Sequence, residues 1–178
     1  MINISGASPN SFVSGGPLSL PQDHYKIITG VEYDKDCYWI YWLGQTFTAN
    51  KNYIITSVNL KVRRELFPGD AVISIQRIIG SVPSGDNIAV KVFNANELPE
   101  IMGWEKINFD AGTLLSSGIK YIVFMKVPSG NSKNLISWAY DSTGEYPGGN
   151  RLDSYDDGDS WQPVLEHDYM FETWGIAI

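Results

Sequence analysis

The chain has 178 residues, 43% hydrophobic and 13% aromatic, which suits one globular domain with a substantial core. Its formal net charge of −7 repels phosphate backbones, and the densest basic spot, residues 61–64 (KVRR), lies in a strand-like stretch that splits its charges between faces, so no nucleic-acid partner is expected. The single cysteine, Cys37, excludes an intramolecular disulfide, and with only His24 and His167 beside it no zinc motif forms.

Residues 1–22 (MINISGASPNSFVSGGPLSLPQ) are rich in Ser, Gly, Pro and Asn and carry little periodicity. They predict an extended N-terminal arm ahead of a single β-sandwich domain over 23–178. Such an arm is either a frayed terminus or a segment that docks on other copies of the chain or on particle subunits, with Phe12, Val13, Leu18 and Leu20 to bury. It lacks the basic start and apolar run of a secretory signal peptide. No stretch reaches the length of a membrane span, so membrane insertion is not expected. A place on a virion or other extracellular particle would be reached by lysis or assembly.

After the arm the signals are those of strands. Residues 38–43 (YWIYWL) predict an aromatic strand, with Cys37 a packing position beside it, followed by 45–48 (QTFT). Over 55–62 the chain alternates, with Val58, Leu60 and Val62 on one face and Ser57, Asn59 and Lys61 on the other. Pro68-Gly69-Asp70 is a turn. A strand over 71–79 places Ile73 and Ile75 together, and 88–93 predicts another. Residues 97–104 read as a loop or one helical turn. The run 104–109 (WEKINF) alternates again, 120–127 is a strong strand, and 135–140 puts Ile136, Trp138 and Tyr140 on one face. The last strand, 169–174, sets Tyr169, Phe171 and Thr173 opposite Met170, Glu172 and Trp174. Many short strands between regular turn signals predict an all-β, antiparallel two-sheet sandwich, with a jelly roll the first choice.

Residues 154–161 read SYDDGDSW. The spacing Ser154-x-Asp156-x-Gly158-x-x-Trp161 resembles the Asp-box hairpin. In it Asp156 bonds backbone N–H groups across the turn, Gly158 supplies a positive φ, and Trp161 packs beneath. The competing reading is a calcium loop built from Asp153, Asp156, Asp157 and Asp159. No Glu closes a twelve-residue loop, so Ca²⁺ lacks a motif, and neither a metal nor another cofactor is expected. One box does not make a propeller, which needs repeated blades.

The box ends a longer pattern: 44–62 (GQTFTANKNYIITSVNLKV), 116–130 (SSGIKYIVFMKVPSG), 136–161 (ISWAYDSTGEYPGGNRLDSYDDGDSW) and 169–175 (YMFETWG). In this order the segments resemble β-sandwich modules of bacterial surface proteins, phage structural proteins and large extracellular proteins. The resemblance implies a non-catalytic jelly roll with an adhesive, carbohydrate-binding-like or particle-surface role. It carries over no catalytic residue.

Catalysis is not expected on the residues themselves. Neither histidine lies beside a nucleophile elbow. The acidic pairs Asp156–Asp157 and Glu166/Asp168 show no cleft separation that sequence can read, and no phosphate or dinucleotide loop occurs. Aromatics supply the binding candidates. Trp138, Tyr140, Asp141, Tyr146, Asn150 and Tyr155 are grouped in one loop-rich stretch beside Gly148-Gly149, where a sugar could stack and bond. Trp138 and Tyr140 read first as fillers of the sandwich core, so the loop residues Asp141, Tyr146 and Asn150 are the better binding candidates. Trp39, Tyr41 and Trp42 form a second candidate patch that also reads first as core. The favoured reading is a virion or particle surface subunit that oligomerises. The alternative is a stand-alone carbohydrate-binding or adhesion module recognising a cell-surface glycan.

Overall fold

The computed structural model describes residues 17–26 and 31–178. Among them lie thirteen strands in two antiparallel sheets and one short 3₁₀ turn. The strands are β1 (Leu20–Tyr25), β2 (Glu32–Cys37), β3 (Trp42–Thr48), β4 (Tyr53–Glu65), β5 (Asp70–Ile79), β6 (Val82–Asn94), β7 (Gly103–Leu115), β8 (Lys120–Lys126), β9 (Leu135–Asp141), β10 (Arg151–Ser154), β11 (Gln162–Val164), β12 (Asp168–Tyr169) and β13 (Phe171–Ala177). The six-stranded sheet runs β11-β10-β3-β8-β5-β6. The seven-stranded sheet runs β1-β13-β4-β9-β12, with β7 on the other side of β4 and β2 along β9. From β3 to β5 and from β7 to β10, successive strands alternate between the sheets, the wrapping of a jelly roll.

Alternation drives the packing. In β4, Tyr53, Ile55, Val58, Leu60 and Val62 are buried between the sheets. They meet Ile73 and Ile75 of β5, Tyr121 and Val123 of β8, and Trp138, Tyr169 and Phe171. Ile107 and Phe109 of β7 join the same core. The seven-stranded sheet curls at a three-way junction, where β13 leaves β4 and β9 takes its place. Met170 holds the fork: its N–H donates to Ala139 O at 2.9 Å, and its carbonyl accepts from Trp138 Nε1 at 2.9 Å and from Lys61 N.

Two sequence expectations change. The aromatic run 38–43 is not one strand. Tyr41 N donates to Tyr38 O across a tight turn, with Trp39 at φ 49, and the chain reverses from β2 into β3. The polar β2 (EYDKDC) carries no apolar alternation, and it pairs along β9 over its whole length. The boundary between residues 22 and 23 falls inside β1, which pairs with β13. Gln22 and Asp23 are both buried there, and Gln22 Nε2 donates to Gly175 O at 2.9 Å. The arm over 1–16 lies outside the described residues.

Candidate functional site

The six binding candidates are not brought to one surface. Trp138 is fully buried between the sheets, with its ring stacked 4.6 Å from that of Tyr169. Tyr140 is half-buried between Tyr33, His167 and the Arg151 guanidinium. Asp141 is buried and accepts from Tyr25 Oη at 2.9 Å. Tyr146 packs its ring against Tyr25 and Phe171, and burial pushes its phenol above the ordinary value. Asn150 N–H donates to Thr46 Oγ1 at 2.7 Å and fastens its loop to β3. A Cβ at the neighbouring Gly149 would lie 2.0 Å from Thr46 O, so this close approach admits only glycine. Tyr155 is exposed. Asn150 and Tyr155 border depressions of the surface.

The Ser154–Trp161 loop is a closed hydrogen-bonded turn. Asp156 Oδ1 accepts from Ser160 N at 2.9 Å and from Ser154 Oγ at 2.9 Å, and its Oδ2 accepts from Ser160 Oγ at 2.5 Å. These bonds from Ser160 and Ser154 hold the Asp156 carboxyl below its ordinary pKa. Ser154 Oγ in turn accepts from Gly158 N at 2.9 Å. Asp157 at φ 62 and Gly158 at φ 90 carry the reversal. Asp153 faces inward from this turn and meets it through Tyr155 Oη, which donates to its Oδ2 at 3.3 Å. It is fully buried and accepts from Arg151 Nε and from Tyr169 Oη.

The loop covers part of the outer face of the six-stranded sheet and creates a groove there. Alternation places Trp42 of β3, Phe124 and Lys126 of β8, and Val72, Ser74 and Gln76 of β5 on that face. Trp42 and Phe124 stack with planes 1° apart, and Trp161 meets both edge-on. These rings form a second apolar cluster with Ile122, Leu152 and Ile78, separate from the core between the sheets. Gly44 makes room for it, since a Cβ there would lie 2.6 Å from Ile122 Cδ1.

The groove above these rings has a volume of about 420 Å³. One wall is Asp157, Gly158 and Asp159; the other is Pro83, Gly85 and Asn87 of β6. Gln76 is fixed beneath the second wall, donating to Asn87 Oδ1 and accepting from Gly85 N, each at 2.9 Å. The Lys126 ammonium stands 4.4 Å above the Trp42 ring, a cation–π contact. The Trp42 indole N–H is buried with no hydrogen-bond partner among the described residues. A flat aromatic floor between walls that carry amide, carboxylate and ammonium groups suits a polar ligand with apolar ring faces.

A second depression lies on the far side of the same loop. Tyr38, Tyr41 and Tyr155 meet edge to edge there, beside Asp34, Lys35 and Asp36. Trp39 projects at the turn above, 59% exposed. Of the patch Trp39, Tyr41 and Trp42, then, each member borders the surface and none is in the main core.

The groove residues Gln76, Asn87, Phe124 and Lys126 carry no motif in the sequence. One signal was present: β8 (KYIVFMK) is apolar on both faces, the pattern of a strand covered on both sides.

Fold and surface together define an all-β, two-sheet antiparallel protein with an aromatic-floored groove on one outer face. No protein-family model matches the chain, and no curated protein matches it in sequence.

Proposed function

We propose that this chain is a non-catalytic binding module that holds a neutral glycan in the groove over Trp42, Phe124 and Trp161. The observation that carries the reading is the aromatic floor set between two walls of hydrogen-bonding side chains. Pyranose rings present apolar C–H faces to aromatic rings and equatorial hydroxyls to flanking amides and carboxylates, a division of labour typical of small-ligand sites. The sequence resemblance to carbohydrate-binding-like sandwich modules points the same way. Two carboxylates, Asp157 and Asp159, against one ammonium, Lys126, favour neutral over acidic sugars. Both carboxylates belong to one turn on one wall, whereas glycosidic chemistry needs two that flank the scissile bond.

The test is affinity electrophoresis of the chain through gels containing cellulose derivatives, xylan, mannan, mixed-linkage glucan or soluble chitin. Retardation by at least one is expected, and the double variant Asn87→Ala/Asp159→Ala should lose it by tenfold or more with its circular dichroism unchanged. Free migration through every gel would sink the reading.

A second reading has its own observation. The edge strand β6 exposes Val82 beside Ile79 of β5 at the hairpin, and Val90 and Val92 further along, apolar positions suited to contact between copies. It favours a subunit of a particle surface, and the two roles are compatible on one protein.

A further inference from the structure

The groove does not end at Trp161. A second depression of about 260 Å³ lies further along the same outer face, lined by Thr46 of β3, Ile78 of β5, Lys120 of β8 and Asn150 and Leu152 at β10. Both walls continue into it. The β5–β6 hairpin gives Pro83, Gly85 and Asn87 to the first depression and Gly80 and Ser81 to the second. The opposite segment gives Asp157, Gly158, Asp159 and Trp161 to the first, then Pro163 and Leu165 to the second.

The floor continues too. Trp42, Phe124 and Trp161 line the first depression, and Ile78 and Leu152 line the second, yet all five belong with the buried Ile122 to one apolar cluster. That cluster is the saddle between the two hollows. Strand register gives the direction and length. Val72 pairs with Lys126, Ser74 with Phe124 and Gln76 with Ile122. Hence the trench runs along β5 from Val72 in the first depression to Ile78 in the second. At about 3.3 Å per residue this advance gives a floor about 20 Å long, the length of about four linked pyranose rings.

Resting on the glycan reading, we infer that the ligand is an extended neutral oligosaccharide of about four rings that lies along β5 and β8 and occupies both depressions. Trp42, Phe124 and Trp161 stand under the part of it that fills the first depression. The second depression sets Lys120 and the polar Thr46, Ser81 and Asn150 around an apolar patch, groups that can bond hydroxyls and meet ring faces.

Titration calorimetry with the full chain tests this. The probes are oligosaccharides of two to six units, prepared from whichever neutral polysaccharide retards the chain in the gels. Affinity should climb by tenfold or more between the dimer and the tetramer and level off beyond it. The double variant Lys120→Ala/Leu165→Ala, both exposed positions, should bind the tetramer only as tightly as the dimer and leave dimer binding unchanged. Equal affinity for dimer and tetramer, or a variant that still binds the tetramer like the parent, would overturn the extended site and leave the glycan reading standing. Absence of binding to every polysaccharide would overturn both.

Discussion

Gly158 joins the turn to the groove floor. It stands at φ 90, where a side chain is strained, and a Cβ would fall 2.4 Å from the Trp42 ring. Ser154 Oγ holds its N–H, so the residue cannot move away without opening the turn. Gly158→Ala is therefore expected to cost about 2 kcal/mol from the left-handed backbone alone, with Trp42 displaced as well. Thermal unfolding would read the first effect and tryptophan fluorescence the second. An unchanged midpoint together with an unchanged emission spectrum would show that the loop does not rest on Trp42. The spacing Ser-x-Asp-x-Gly-x-x-Trp is legible in the sequence because its bonds are local. What the loop lies on is not, since Trp42 is more than a hundred positions away from Gly158.

At the level of elements, the chain's own alternation reveals the strands whose faces differ. β4, β5, β7, β9 and β13 have one apolar side, and their inward residues form the core. Four strands, β1, β2, β10 and β11, escape because their own residues carry no such alternation. β1 (LPQDHY) reads as part of a polar arm, yet it is held along β13 by buried polar bonds. Asp23 accepts from Tyr53 Oη at 3.0 Å and from Asn50 N at 3.2 Å, and its own N–H donates to Thr173 Oγ1. Burial raises the Asp23 carboxyl above 3.8, although Tyr53, Asn50, His24 and Lys51 pull it down. An acid with a raised folded pKa binds its proton more tightly folded than unfolded. Its contribution to stability is therefore largest below 3.8 and declines as pH rises through the folded value. Glu172 works in the opposite sense: Asn59 and Lys26 outweigh its burial and lower its pKa, so its contribution is lost as pH falls. Glu172 is common to both proteins in a comparison with Asp23→Asn and cancels. The unfolding free energy of Asp23→Asn minus that of the parent should rise with pH from acid toward neutral, then flatten. Urea titrations across that range would measure it, and a difference independent of pH would mean that Asp23 does not titrate on folding.

For the whole molecule, the edges of the two sheets decide what it does in company. Strands at sheet edges offer unpaired backbone groups and are commonly guarded by charge, proline, bulges or shortness. β2 carries Glu32, Asp34, Lys35 and Asp36, and β11 is three residues long. β1 contains Pro21 and a register shift. β7 alternates Glu105, Lys106 and Asp110 with its apolar residues, and Asp110 pairs with Lys91 across to β6. β6 is guarded over its first half by Pro83, Asp86 and two register shifts against β5. Its second half is the least guarded edge: among the described residues it pairs only with β5, and it exposes Val90 and Val92 with Lys91 its one charge. Two copies joined antiparallel along β6 would have twofold symmetry, with the same patch used on each. Since Pro83, Gly85 and Asn87 of β6 wall the groove, that pairing would set two grooves on one continuous sheet, and a polymeric ligand would gain avidity from both. The expected result is an oligomer for the full chain by light scattering behind a sizing column. Val90→Lys/Val92→Lys should give monomers with unchanged circular dichroism, unchanged affinity for a short oligosaccharide and weaker retention on the polymer. Deletion of residues 1–16 separates the other route to assembly: a chain that stays oligomeric without them associates through β6, and one that becomes monomeric associates through the arm. A parent that is monomeric at every concentration tested would leave the second half of β6 an open edge with no partner of its own kind.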